Sequence, residues 1–305
     1  MDTRVRLNSR AVAEAACQAL HDELALETKP GLVSFVDSGS HTDMDAGTFL
    51  RSIGALRPFF TTFAELGAQR AHFRALELQG VRAEAAMLDA TCGVNTHRGA
   101  IFILGLLCAA VGWIYADGEV PTANEVRRTM LDAWGADLAR RANVARESNG
   151  SRAAQRFGLR SISVEAAQGF PVLFDKVLPA LGSVPTDTTR TDALFAAITV
   201  LDDTTVVHRG GIQALVDVKR IARDFLAQGG AAATGARELL RDLHRQFVAR
   251  RISPGGAADM LSAACFLQAT CVASASNALD PRLRGDDDSL SFPRRRESKA
   301  QLAPA

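Results

Sequence analysis

The chain has 305 residues, of which 47% are hydrophobic, 23% charged and 6% aromatic. That length and apolar share permit one large domain or two small ones with a sizeable core, and they exclude wholesale disorder. Lys and Arg total 35 against 34 Asp and Glu, a net charge of +1, so no phosphate-neutralising field marks a dedicated nucleic-acid binder.

Apolar spacing predicts helix almost throughout. Val12, Ala16, Leu20, Glu23 and Glu27 step by three and four and share one face. Phe49, Ile53, Leu56 and Phe60 repeat that stripe, and Ala83 to Leu88 reads as another helix. Gly99 to Ala116 is a run of 18 residues without a charge, at the lower limit for a membrane span. Its three glycines and the tight flanks His97, Arg98 and Asp117 favour a central helix surrounded by other helices. Further helices fit Asn124 to Arg141, Glu165 to Leu181, Thr191 to Leu201, Ile212 to Leu226, Ala236 to Arg250 and Ala257 to Gln268. Turn clusters lie at 29–31, 92–93, 149–150, 169–171, 210–211 and 253–256. No convincing alternating strand occurs. The expected fold is all-α: a compact single-domain multi-helix bundle over residues 1–276, with 277–305 a disordered charged tail in which 11 of 29 residues are charged.

Cys17, Cys92, Cys108, Cys265 and Cys271 form no CxxC pair, and most sit among small or apolar neighbours, as reduced buried thiols do. The N-terminus has no apolar stretch behind its charges, so no secretory signal is expected. The expected compartment is the reducing cytoplasm, with neither membrane nor nucleic acid as a partner.

Four polar clusters interrupt the apolar background. Lys29-Pro-Gly31 is followed by His41-Thr-Asp43-Met-Asp45, a cation and paired carboxylates suited to a Mg²⁺-bound polyphosphate. Aspartate is equally the usual residue of a helix start. Asn95-Thr96-His97-Arg98-Gly99 precedes the long apolar helix, with Thr96 placed to cap it and Gly99 allowing a ligand close. Asp202-Asp203 to His208-Arg209-Gly210 echoes that arrangement, and Ser253-Pro-Gly255-Gly256 to Asp259 opens another helix with an acid on an apolar face. Arg152 and Arg156 share a helical face, followed by Glu165. HExxH, Walker A, GxGxxG and a serine elbow are absent, which leaves divalent-metal polyphosphate or nucleotide chemistry.

Five segments, at 26–33, 39–45, 93–102, 203–211 and 253–259, resemble the triphosphoribosyl-dephospho-CoA synthase family in order and wording, and the likeness runs from about Ala11 to Gln268. The His41 loop is most similar to the branch that serves malonate decarboxylase as opposed to citrate lyase. The resemblance implies that ATP and 3′-dephospho-CoA are joined, with adenine released, to give 2′-(5″-triphosphoribosyl)-3′-dephospho-CoA. That product is the precursor of a prosthetic group that a downstream transferase attaches to the acyl carrier subunit. It further implies that Asp43, Asp45 and Asp203 hold Mg²⁺, and that Lys29, Arg98 and Arg209 pair phosphate oxygens. Glu23, His97 or His208 then act as acid or base. Gly31, His41, Asn95, Gly99, Arg152, Arg156, Glu165, Gly210, Ser253, Gly255, Gly256 and Asp259 complete the substrate-binding set. The competing expectations are an all-α Mg²⁺-dependent nucleotide or ribosyl hydrolase and an inactive nucleotide-binding relative.

Overall fold

The computed structural model describes residues 3–27, 29–144 and 149–272, with backbone alone for 3–7 and 149–151. The expected tail at 277–305 and the position of Thr28 lie outside these. Among the described residues the chain forms twelve α-helices and no strand. Helices α1 (Thr3–Ala25), α2 (Ala46–Ala68), α3 (Phe73–Ala90) and α4 (Arg98–Ala116) make up the first half with α5 (Ala123–Ala142). Next come α6 (Asn149–Phe157), α7 (Ile162–Ala167), a π-turn at Leu173–Val177 and α8 (Leu178–Leu181). Then follow α9 (Asp187–Val200), α10 (Thr204–Ala227), α11 (Ala236–Ala249) and α12 (Gly255–Thr270).

Helix α4 is the axis of the fold. It packs against α1, α2, α3, α5 and α12, and Leu104, Leu107, Cys108, Ala109, Ala110 and Val111 are fully buried. Its charge-free sequence is therefore that of a core helix: it is long and apolar enough to cross a membrane, yet 72% of that stretch is buried inside the protein. Small residues let α2 reach it at backbone distance. A Cβ at Gly67 would overlap the Ala109 carbonyl, and one at Gly112 would overlap the Ala64 carbonyl.

Helix starts follow local chemistry. Asp45 caps α2 in a reciprocal box with Thr48, Thr122 and Glu125 do so for α5, and Thr186 and Thr189 for α9. Two expectations need correction. Helix α1 ends at Ala25, so Glu27 does not share the helical face of Glu23. The helix expected over Glu165–Leu181 is broken, because Gly169 and Phe170 both take positive φ, a geometry no continuous helix tolerates. Helix α10 is two helical pieces, 204–210 and one from Ile212 onward, separated at Gly211 (φ +76°), so the expected start at Ile212 stands and the short piece ahead of it is the addition.

Candidate active site

The loop between α1 and α2 and the starts of α4, α10 and α12 converge on one region. At its base, Lys29 is 1% exposed and its Nζ donates to the Glu23 carboxylate at 2.7 Å and to the Glu23 carbonyl at 2.6 Å. Burial pushes the Lys29 pKa down, while Glu23 opposes that shift. Proline and Gly31 then turn the chain. Gly31 has φ +73°, donates its N–H to His244 Nδ1 at 3.3 Å, and has no room for a Cβ beside the Ile252 carbonyl.

Two acids tie the helix starts together. Asp203 is buried; its Oδ1 accepts from the N–H groups of Thr205 and Val206, and its Oδ2 from Ala257 N at 3.2 Å. One carboxylate thus caps α10 and α12 at once, and burial pushes its pKa up. Asp259 is partly buried and accepts from the Ala100 N–H at the start of α4. Burial and then the charges of Asp203 and Glu23 push its pKa well up. The space above Gly99 is filled by the Asp259 carboxylate, and Gly256 lies against Asp203. Both glycines therefore admit an acid of the protein itself.

His97 is 3% exposed and forms the N-cap position of α4. Thr96 does not cap that helix: its hydroxyl donates to Ser52 Oγ at 2.8 Å, and Ser52 in turn meets His97 Nδ1 at 2.7 Å. Asn95 accepts from the Arg98 N–H instead. Ser52 Oγ thus stands between Thr96 and Nδ1, while Nε2 is buried without a partner. Burial, and secondarily Lys29, lower the His97 pKa to about 3. His97 is thus a neutral imidazole at physiological pH, not an imidazolium acid.

His41 links the loop to the far half of the chain. Its Nε2 lies 2.9 Å from Ser253 Oγ and its Nδ1 3.0 Å from Arg209 Nη2, with Asp43 at 3.7 Å. Ser253 is buried just ahead of α12 and contacts His41 rather than capping the helix. Gly255 lies against Thr205 across the same helix starts. His208 and Gly210 lie exposed on the first turns of α10.

Other predicted residues sit apart or serve the scaffold. Arg98 pairs with Glu84 on α3. Arg156 lies over the Phe157 ring, and Arg152 is exposed on the same short helix, which packs against α10. Glu165 closes the broken turn by accepting from Val172 N at 3.3 Å and faces Arg160 at 3.4 Å; burial pushes its pKa up. Sequence reasoning missed Ser40, Ser52 and His244. Ser52 was the detectable one, a fully buried hydroxyl within the apolar stripe of α2.

The three carboxylates expected to hold Mg²⁺ divide by their partners. Both oxygens of Asp203 accept helix N–H groups, so it acts as a clamp and does not fit a metal ligand. Asp45 spends Oδ1 on its cap. The Asp43 side chain is 56% exposed and suits a cation arriving from solvent. Among the described residues no three His, Cys, Asp or Glu side chains are grouped to hold a metal ion.

Residues 9–277 match the family model of ATP:dephospho-CoA triphosphoribosyl transferase. A protein of Pseudomonas aeruginosa is 39% identical over 270 residues, 84% of this chain and 89% of its own length. One of Acinetobacter calcoaceticus is 35% identical over 254 residues, 82% and 87% respectively. Both carry the description "Probable 2-(5''-triphosphoribosyl)-3'-dephosphocoenzyme-A synthase". A crystal structure from Archaeoglobus fulgidus aligns with 72% of this chain and 98% of its own, at 16% identity and a TM-score of 0.46. With the model match spanning most of the chain and these identities well above 30%, the chain belongs to the ATP:dephospho-CoA triphosphoribosyl transferase family.

Proposed function

We propose that this chain is a cytoplasmic transferase that moves the triphosphoribosyl group of ATP to the 2′-hydroxyl of 3′-dephospho-CoA. The ribose C1–N9 bond of ATP breaks, a C1–O2′ bond forms, and the hydroxyl proton balances adenine as it departs. Its product is the precursor used by a downstream transferase for the acyl carrier of malonate decarboxylase, the branch that the wording of the His41 loop resembles.

The observation that carries this reading is the meeting of Glu23 and Lys29, from the end of α1 and the loop after it, with His97, Asp203 and Asp259 at the starts of α4, α10 and α12. Loss of the base builds positive charge on the ribose, which the Glu23 carboxylate stabilises. Asp259, whose carboxyl pKa burial and the neighbouring acids push well up, supplies a proton to adenine. The neutral His97 ring offers its unpartnered Nε2 to the nucleotide, and Arg209 meets phosphate charge. Mg²⁺ enters on the triphosphate, with Asp43 its protein ligand; it neutralises phosphate charge when bound.

The test is adenine release by the purified chain, followed by liquid chromatography with ATP and Mg²⁺, in the presence and absence of 3′-dephospho-CoA. Release that requires the acceptor supports transfer. Release of adenine or phosphate without it would make the protein a hydrolase, and ATP binding with no release a nucleotide-binding relative.

A further inference from the structure

Ser253, His41 and Asp43 have the outline of a hydrolase triad: Oγ to Nε2 is 2.9 Å, and Nδ1 to the Asp43 carboxylate is 3.7 Å. Such a triad needs a proton on Nδ1 facing the acid, and a lone pair on Nε2 to receive the serine proton. Arg209 inverts both requirements. Its Nη2 lies 3.0 Å from Nδ1, nearer than Asp43, and a guanidinium only donates. Nδ1 must therefore offer its lone pair. A neutral ring then carries its proton on Nε2 and donates it to Ser253 Oγ.

Arg209 is held for this task. Its Nη1 donates to the Ser40 carbonyl at 3.2 Å, and Ser40 Oγ donates to the Ile252 carbonyl at 2.5 Å, one residue from Ser253. Ser253 is 1% exposed, and its own proton is not used on His41. The hydroxyl stands just ahead of the 16-residue helix α12, and its partner His41 carries the Arg209 guanidinium from the start of α10, surroundings that favour an anionic acceptor.

We propose that Arg209 and His41 act as positioning residues that fix Ser253 as a hydrogen-bond donor to a phosphate oxygen of bound ATP, and deny it a nucleophile's role. The inference rests on the nucleotide-transfer reading, and its experiment is separable from turnover.

Long-range ¹H–¹⁵N correlation spectra of the full chain at pH 7.5 report the tautomer of His41 directly, assigned with His41→Gln. The expected spectrum is a neutral ring protonated at Nε2, shifting toward the Nδ1–H form in Arg209→Met. Equilibrium binding of Mg·ATP supplies the second arm. Ser253→Ala is expected to weaken it about 10- to 100-fold, the loss of one hydrogen bond to a charged group. His41→Gln, whose amide still donates to Ser253, retains more affinity than His41→Leu, which a purely space-filling role would not produce. A wild-type ring protonated at Nδ1 overturns the inference, as does unchanged Mg·ATP affinity in Ser253→Ala. If adenine release fails while these arms succeed, the transferase reading falls and the hydrogen-bond assignment stands.

Discussion

Replacing Lys29 with Met would expose how the base of the site is balanced. The ammonium is 1% exposed, and it bonds both the carboxylate and the carbonyl of Glu23, whose side chain is 5% exposed. Glu23 also adds to the charge felt by Asp259, as does Asp203. Without the ammonium, a buried carboxylate loses its partner among other acids. Removing one member of such a pair costs about 3–5 kcal/mol, because the remaining charge stays desolvated. At about 2–4 °C per kcal/mol for a domain of this size, melting falls by roughly 6–20 °C. Urea denaturation of Lys29→Met, Glu23→Gln and the double variant completes the cycle, and the double is expected to be more stable than Lys29→Met alone. A loss below about 1 kcal/mol in Lys29→Met, or strictly additive effects, would refute this electrostatic account.

His97, with a folded pKa of about 3 against an ordinary 6.5, binds a proton in the unfolded chain before it does so in the native one. Stability is thus full above pH 6.5 and falls on acidification, by about 2 kcal/mol at pH 5 from this residue; His97→Asn should remove that share in chemical denaturation, and an unchanged slope would refute it. Gly112→Ala drives a Cβ into the Ala64 carbonyl and should cost about 1–3 kcal/mol, read as a lower denaturation midpoint. Asp203→Asn sets an amide donor against a helix N–H and should cost about 1–3 kcal/mol. If turnover is present, its Mg²⁺ concentration dependence should stay unchanged in that variant; a large shift would restore Asp203 as a ligand.

Much of the fold is legible in the sequence, because helices here are written as apolar stripes ended by recognisable caps. The charge-free run that becomes α4 could only be a membrane span or a buried helix, and its glycines now explain the close approach of α2. The break at Gly169-Phe170 was less legible: the turn cluster and the helical stripe compete over the same residues, and Phe170 adopts a positive φ that its side chain does not advertise. The site divides similarly. Its motifs are visible as polar words in apolar text, but a carboxylate that caps a helix and one that binds a cation have the same spelling. Asp45 and Asp203 turned out to have capping roles, while Asp259 emerged as an acid coupled to its neighbours only through tertiary packing. The contacts of His41 with Arg209 and Ser253 span 168 and 212 positions, beyond the reach of any periodicity.

The central claim is that the ribose of ATP changes partners while its triphosphate stays attached. The most direct measurement uses ATP carrying ¹³C in the ribose and ¹⁵N in adenine, incubated with the full chain, Mg²⁺ and 3′-dephospho-CoA, followed by the mass of the adduct. A product holding the ribose ¹³C and three added phosphates, with all ¹⁵N in free adenine, is the predicted result. ¹⁵N retained in the adduct, or pyrophosphate released in place of adenine, would contradict it.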